Sequence, residues 1–147
     1  MRFAHTNIVA RDWRRLAAFY VAVFDCSLQP PKRQQSGDWL ERGTGVPGAA
    51  LEGVHLLLPG HGDQGPTLEI YTYLQIQELA PGAANRRGFS HVAFEVTDVE
   101  ETVAAVVEHG GSLAGRVTRR RIEGVGVITF VYARDPEGNL IEIQHWE

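Results

Sequence analysis

Residues 88 to 98, Gly-Phe-Ser-His-Val-Ala-Phe-Glu-Val-Thr-Asp, decide the fold because an earlier stretch has the same pattern. That stretch is residues 3 to 12, Phe-Ala-His-Thr-Asn-Ile-Val-Ala-Arg-Asp. Each contains a histidine, the alternating pattern of a strand, and an aspartate seven residues after the histidine. A long unit that occurs only twice indicates a duplicated module rather than a solenoid repeat.

A second duplicated feature lies at the end of each half. Glu69 follows a Gly-Pro turn and stands between two branched apolar residues, and Glu142 stands between two isoleucines after the Asp-Pro-Glu-Gly-Asn turn of residues 135–139. Each half is therefore predicted to begin with a histidine-bearing strand and to end with a glutamate-bearing strand.

Length and composition restrict the class of protein. The 147 residues are 44% hydrophobic, which suits one domain made of two halves. Fourteen basic and eighteen acidic residues give a net charge of −4, which favours a small-molecule partner and argues against nucleic acid and membrane partners. Cys26 is the single cysteine, and the first residues resemble neither a signal peptide nor a membrane span, so a cytoplasmic protein is expected.

Local signals place a helix after the first strand of each half. Asp12 is a predicted N-cap, and apolar residues at helical spacing follow it as far as Asp25. Asp98 with Glu101 forms a predicted capping box, and Gly110-Gly111 is a predicted stop. Three strands complete each half, so the predicted order is βαβββ twice.

The predicted boundaries are residues 1–74 for the first module, 75–87 for a connector and 88–147 for the second module. Residues 34–49 hold four glycines and a proline without a clear period, and they are predicted to be either a functional loop or a surface excursion. Residues 112–118, 126–132 and 139–146 are the predicted closing strands. Arg119, Arg120 and Arg121 are expected in a loop, where they either hold an anionic group or remain solvated.

Alternate residues of a strand share one face, so strand parity predicts which side chains meet. One face of the opening and closing strands is apolar and should cover a helix. The opposite face carries His5, Asn7, Glu69, Tyr71, Tyr73, His91, Glu95, Glu142, Gln144 and Trp146. A polar and aromatic face of this kind predicts a pocket rather than a core.

The duplicated histidines and glutamates within that face predict a metal site. A single strand histidine more often makes a structural hydrogen bond than it binds metal. Two imidazoles and two carboxylates, from His5, His91, Glu69 and Glu142, can together fill four positions on one divalent cation, for which Ni, Co, Mn, Zn and Fe are all candidates. The remaining candidates for substrate contact are Tyr71, Tyr73, Glu95 and Trp146, although Glu95 could equally reach solvent.

These residues, the Phe19-Tyr20 pair and the ending Asp-Pro-Glu-Gly-Asn-Leu-Ile-Glu resemble the vicinal oxygen chelate superfamily. That family includes glyoxalase I, methylmalonyl-CoA epimerase, extradiol dioxygenases, fosfomycin-resistance thiol transferases and bleomycin-binding proteins. The resemblance implies an α+β fold of tandem βαβββ modules, in which a curved mixed sheet surrounds a metal-binding cavity and the helices lie on the outer face. It also implies that the four ligand positions fall on His5, Glu69, His91 and Glu142, as in bacterial glyoxalase I.

The expected chemistry is proton transfer next to a carbonyl, with Glu69 and Glu142 as the catalytic residues. The substrate is expected to be small and to carry neighbouring oxygens, as a ketose or cyclitol does. The alternatives are an extradiol-type dioxygenase, thiol transfer and a binding or antibiotic-resistance protein. Glu69 argues against the dioxygenase, whose usual iron ligands are two histidines and one carboxylate. A homodimer is expected, with the site either within one chain or shared across the dimer.

Overall fold

The structure, a computed structural model, describes residues 1–78, 80 and 82–147. These residues form two units, Met1–Leu79 and Ala80–Glu147. The predicted connector, residues 75–87, contains Leu79 and Pro81, which lie outside the described residues. No helix in the described part of the chain is both long enough and apolar enough to span a membrane.

The first unit is a four-stranded sheet with two helices. In chain order its elements are β1 (His5–Val9), α1 (Trp13–Phe24), β2 (Ser27–Ser36), α2 (Asp38–Thr44), β3 (Ala50–Leu57) and β4 (Thr67–Tyr73). The strand order is β1-β4-β3-β2, with β1 parallel to β4 and the other neighbours antiparallel. The sheet is therefore mixed, with β1 and β2 at its edges.

Helix α1 begins and ends where the sequence predicts. The Asp12 carboxylate accepts hydrogen bonds from the backbone N–H groups of Arg14 and Arg15, at 3.0 and 3.2 Å. Asp25 ends the helix in the left-handed conformation, with φ of 53°. The buried face carries Leu16, Phe19 and Tyr20, and the sheet face beneath it carries Leu56, Leu68 and Ile70. This is the apolar face that strand parity predicts.

Residues 34–49 differ from the predicted loop. Strand β2 continues to Ser36, and α2 follows from Asp38 to Thr44. Leu40 of α2 is buried with Ala49, Leu51 and Tyr71. The helix is stabilised by the burial of Leu40 against the sheet. It was not predicted because the high glycine content of the stretch is typical of a loop. The register of β2 shifts between Gln29 and Arg33, which flank two prolines that lack the N–H a ladder requires.

The second unit also begins with a strand and a helix, and it is built around its own mixed sheet. Its elements are β5 (His91–Glu95), α3 (Val99–Glu108), β6 (Ser112–Leu113), β7 (Thr118–Ile122), β8 (Gly126–Arg134) and β9 (Leu140–Trp146). The order is β5-β9-β8, with β5 parallel to β9, and both β6 and β7 pair with β8. Asp98 caps α3 by accepting the N–H of Glu101 at 2.9 Å.

The predicted strand of residues 112–118 is interrupted, and the three arginines were wrongly expected in a loop. The backbone N–H groups of Ala114 and Gly115 both donate to the Tyr132 carbonyl, at 2.9 and 3.0 Å, and the chain between Leu113 and Thr118 holds two more residues than β8 does between their strand partners. The three arginines, residues 119–121, lie in β7. Charged side chains on such a strand discourage pairing with another chain.

The α+β class and the βαβββ order of each half are thus confirmed, with α2 added in the first unit and the second strand of the second unit divided into β6 and β7. Helices α1 and α3 each pack on their own sheet. Helix α2 was not predicted, and it packs on the other face of the first sheet, the face that carries Glu69 and Tyr71.

Candidate functional site

In the first unit, His5 and Glu69 form a close pair. Parallel pairing of β1 with β4 places Asn7 next to Glu69, so His5 stands two residues before that partner and on the same face. The His5 Nδ1 atom lies 3.2 Å from the Glu69 Oε1 atom. The Glu69 side chain is 12% exposed and that of His5 is 48% exposed, so the carboxylate is covered while the imidazole is open.

In the second unit, His91 and Glu142 form the matching pair. Ala93 is the strand partner of Glu142, so His91 again stands two residues before the partner of the glutamate. The His91 Nε2 atom lies 2.9 Å from the Glu142 Oε2 atom. Each unit therefore brings together the predicted histidine and glutamate with the same strand offset.

The first unit adds a histidine that the sequence analysis missed. His55 on β3 is directly opposite Glu69 on β4. Its Nε2 atom lies 3.3 Å from Glu69 Oε1 and 2.6 Å from the Tyr71 hydroxyl oxygen. His55 was missed because the parity argument covered only the opening and closing strands of each half. Applied to Ala50–Leu57, the same argument separates His55 from the buried Val54 and Leu56.

Burial sets the charge states in this cluster. It lowers the pKa of His55, with Arg33 and His5 acting in the same direction and Glu69 opposing them. Burial, followed by the Glu69 carboxylate, raises the pKa of Tyr71 to about 12. At neutral pH the cluster therefore contains a neutral imidazole and a protonated phenol beside Glu69.

Tyr132 is a second residue that the sequence analysis did not select. It is the strand partner of Glu142, and its ring centroid lies 4.9 Å from that of His91. Burial raises the pKa of Tyr132, and the Glu142 carboxylate adds to the increase. Tyr132 therefore keeps its proton at neutral pH and has a hydroxyl group available for donation.

The four predicted substrate residues have different environments. Tyr71 is buried and bonded to His55, and Tyr73 packs against the same apolar cluster of Leu40, Ala49 and Leu51. Glu95 is exposed at the end of β5. Trp146 is partly buried, and its indole N–H donates to the Gln144 side chain at 3.3 Å. The exposure of Glu95 agrees with the solvent-reaching alternative.

The ligand types and spacings in the two pairs suit a cation. Adjacent ligands about 2.1 Å from one metal ion stand about 3 Å apart, and the observed nitrogen–oxygen distances are 3.2 and 2.9 Å. The same spacing also suits a hydrogen bond between histidine and glutamate. Each pair alone therefore offers only two ligands to a metal ion. Within residues 1–78, 80 and 82–147, no three His, Cys, Asp or Glu side chains are grouped to hold a metal ion.

A separate groove lies along β7. It has a volume of about 340 Å³ and is lined by Arg119, Arg120, Arg121, Val127 and Glu147. Arg119 donates to the Glu147 carboxylate at 2.8 Å. None of the four predicted metal ligands lines this groove. Its charged side chains are explained by their protection of an exposed edge strand from pairing with another chain.

The known proteins that this chain resembles have the same fold. The sequence profile of the Glyoxalase/Bleomycin resistance protein/Dioxygenase superfamily matches residues 2–143. Among curated protein sequences, none matches the chain. The structure is similar to a glyoxalase family protein from Bacillus cereus, with 24% identity, a TM-score of 0.83, and coverage of 99% of this chain and 94% of that chain.

Two further solved structures show the same likeness. A glyoxalase I mutant from Zea mays is 20% identical with a TM-score of 0.66, over 97% of this chain and 44% of that chain. A glyoxylase/bleomycin resistance protein/dioxygenase domain from Frankia sp. EAN1pec is 16% identical with a TM-score of 0.58, over 100% of this chain and 98% of that chain. At these identities the likeness concerns the fold.

Proposed function

The chain belongs to the Glyoxalase/Bleomycin resistance protein/Dioxygenase superfamily, and on that premise we propose that it is a divalent-metal-dependent isomerase or epimerase. The reaction is proton transfer next to the carbonyl of a small substrate with neighbouring oxygens, such as a ketose or cyclitol. The His5–Glu69 and His91–Glu142 pairs supply the protein ligands of the cation.

The duplicated pair is the observation that carries this proposal. In both units the histidine stands two residues before the strand partner of the glutamate, and a ring nitrogen lies within 3.2 Å of a carboxylate oxygen. Together the pairs offer two imidazole nitrogens and two carboxylates, a mixed set that divalent transition metals accept. Four protein ligands leave two octahedral positions, which matches a substrate that offers two oxygens.

The chemistry divides between the cation and the side chains. A bound divalent cation polarises a carbonyl and stabilises the negative charge that develops beside it, which contributes several kcal/mol. One glutamate carboxylate accepts the proton from the carbon next to the carbonyl, and the other returns a proton. Tyr71 and Tyr132 keep their hydroxyl protons at neutral pH and can donate hydrogen bonds to oxygens of the substrate or of the glutamates.

The test is proton exchange in deuterium oxide. Metal-loaded protein is incubated with hydroxyketones, thioesters and cyclitols, and deuterium incorporation next to the carbonyl is followed by NMR. Exchange with at least one substrate class is expected, and Glu69→Gln and Glu142→Gln should each reduce it by about 100-fold or more. Glu123→Gln is the matched control, because Glu123 is an exposed turn residue.

Three outcomes contradict the proposal. Undiminished exchange and metal retention in both glutamine variants would remove the glutamates from the mechanism. Oxygen uptake with catechols in the ferrous protein, without proton exchange, would instead identify a ring-cleaving dioxygenase. Tight capture of a ligand without turnover would identify a binding protein.

A further inference from the structure

We infer that His55 and Tyr71 are positioning residues that hold the Glu69 carboxylate in place, so that the two glutamates are supported unequally. The inference concerns how the first unit prepares one glutamate. It rests on the proposed role of Glu69 as a metal ligand.

The β3–β4 register places the three groups together. His55 is directly opposite Glu69, and Tyr71 follows Glu69 on the same face of β4. The His55 Nε2 atom is 2.6 Å from the Tyr71 hydroxyl oxygen and 3.3 Å from Glu69 Oε1. After burial, the Glu69 carboxylate is the next cause of the raised pKa of Tyr71, so the phenol feels the charge of that carboxylate. These groups form a closed cluster around one carboxylate.

Packing fixes the tyrosine at the end of this cluster. Gly53 is the strand partner of Tyr71, and a β-carbon there would come within 2.5 Å of the Tyr71 ring. Leu40 of α2 and Leu51 of β3 are buried in the same apolar cluster as Tyr71. Since the ring is confined, its hydroxyl group is held beside His55. Gly53 and helix α2 therefore serve to hold Tyr71 in place.

The second unit has different residues at the duplicated positions. Tyr132 takes the place of His55 opposite Glu142, and Gln144 takes the place of Tyr71 two residues after the glutamate. Glu142 therefore has a tyrosine, close to His91, at the position where Glu69 has a second histidine. Only the glutamate of the first unit therefore lies between two histidines of its own sheet, as judged over the residues the structure describes.

The consequence is a pre-arranged carboxylate. A side chain that is only 12% exposed requires hydrogen-bond donors, and ring nitrogens of His5 and His55 lie 3.2 and 3.3 Å from Glu69 Oε1. Tyr71 acts on the carboxylate through His55, to which its hydroxyl is hydrogen-bonded. Residues that orient a metal ligand typically contribute 10-fold to 100-fold to metal affinity. His55 and Tyr71 are expected to do so without touching the cation.

The first experiment measures Co²⁺ affinity by titration of the visible absorption. Tyr71→Phe removes only the hydroxyl group, and His55→Gln keeps a polar side chain of similar reach. Each should weaken Co²⁺ binding by about 10-fold or more, and the double variant should lose no more than either single variant because the groups act as one chain. His61→Gln, in an exposed turn, is the matched control and should bind as the unmodified protein does.

The second experiment needs no metal. The side-chain nitrogen signals of His5 report on Glu69, because His5 contacts its Oε1 atom. In metal-free protein, Tyr71→Phe should shift the signals of both His55 and His5. A shift of His55 alone would show that Tyr71 does not fix Glu69 and would overturn the inference.

The two proposals fail in different ways. If the unmodified protein binds no Co²⁺, the proposed function is contradicted, and the NMR experiment still decides whether Tyr71 positions Glu69. If the unmodified protein binds Co²⁺ and both variants bind it equally well, the proposed function stands and the positioning role is overturned.

Discussion

Gly53 lies directly opposite Tyr71 in the β3–β4 ladder, in a space that admits no side chain. A β-carbon there would come within 2.0 Å of the Ile70 carbonyl oxygen and 2.5 Å of the Tyr71 Cδ1 atom. The first of these contacts involves the backbone, so the strand itself would have to move. The absence of a side chain at Gly53 therefore leaves the space that the Tyr71 ring occupies.

Gly53→Ala should destabilise the protein by about 1–3 kcal/mol, as overpacking in a close-packed interior does. Denaturant unfolding followed by circular dichroism measures the change. The control is Gly43→Ala in α2, where a β-carbon meets nothing within 4 Å. That substitution should stabilise the protein by about 0.5–1 kcal/mol, since glycine is unfavourable inside a helix. Equal effects of the two substitutions would show that the space at Gly53 is not confined.

Glu52→Gln should lower the stability of the protein at neutral pH and have little effect in acid. The Glu52 carboxylate accepts from Arg14 at 3.0 Å and pairs with Lys32 at 2.8 Å, and the bonds from Arg14 and then Lys32 lower its pKa to about 2. Because the pKa in the folded state is below the ordinary value, this contribution is present above about pH 4.5 and is lost as the pH falls toward 2.

Thermal unfolding between pH 7 and pH 2 checks this expectation. The melting temperature of the variant should be lower than that of the unmodified protein at pH 7, and the difference should shrink below pH 4.5. Glu123→Gln is the control, because no ion pair involves Glu123 within the described residues. A difference that stays constant down to pH 2 would mean that the Glu52 charge is not its origin.

Cys26 should be almost inert in the folded protein. Burial, with a smaller effect of Asp25, raises the pKa of its thiol from 9.0 to about 12. The thiolate is the reactive form, so its population at pH 8 should fall by about a thousandfold relative to an unperturbed cysteine. Cys26 also contributes stability below pH 9 that is lost as the pH rises toward 12, because the folded state retains the proton.

Alkylation with iodoacetamide, followed by mass spectrometry, measures this reactivity in native buffer and in urea. Modification should be slow in native protein and fast after unfolding. Equal rates in the two conditions would contradict the burial of the thiol.

Much of the fold follows from short-range signals in the sequence. The duplicated His5 and His91 strands, and the caps at Asp12 and Asp98, lie where local pattern predicts them. Helix α2 could not be predicted from local pattern, because its stability comes from burying Leu40 against residues that are distant in sequence. The interruption between β6 and β7 depends likewise on the pairing with β8, which short-range pattern does not specify.

The candidate site was predictable in part for the same reason. Parity alone placed each predicted histidine and glutamate on one face, and the structure finds each pair in contact. Finding His55 opposite Glu69 requires the β3–β4 register, which depends on how the intervening turn is built. The homodimer, the cytoplasmic location and the identity of the metal stay predictions.

Metal content decides whether the His5–Glu69 and His91–Glu142 pairs are metal ligands. Tag-free protein is analysed for bound metal as purified and after addition of Ni²⁺, Co²⁺, Mn²⁺, Zn²⁺ or Fe²⁺ followed by removal of free ion. About one equivalent per chain should be retained, and it should be lost in His5→Ala and His91→Ala but kept in His61→Ala. Absence of retained metal under every condition, or equal retention in all three variants, would contradict the metal-dependent account.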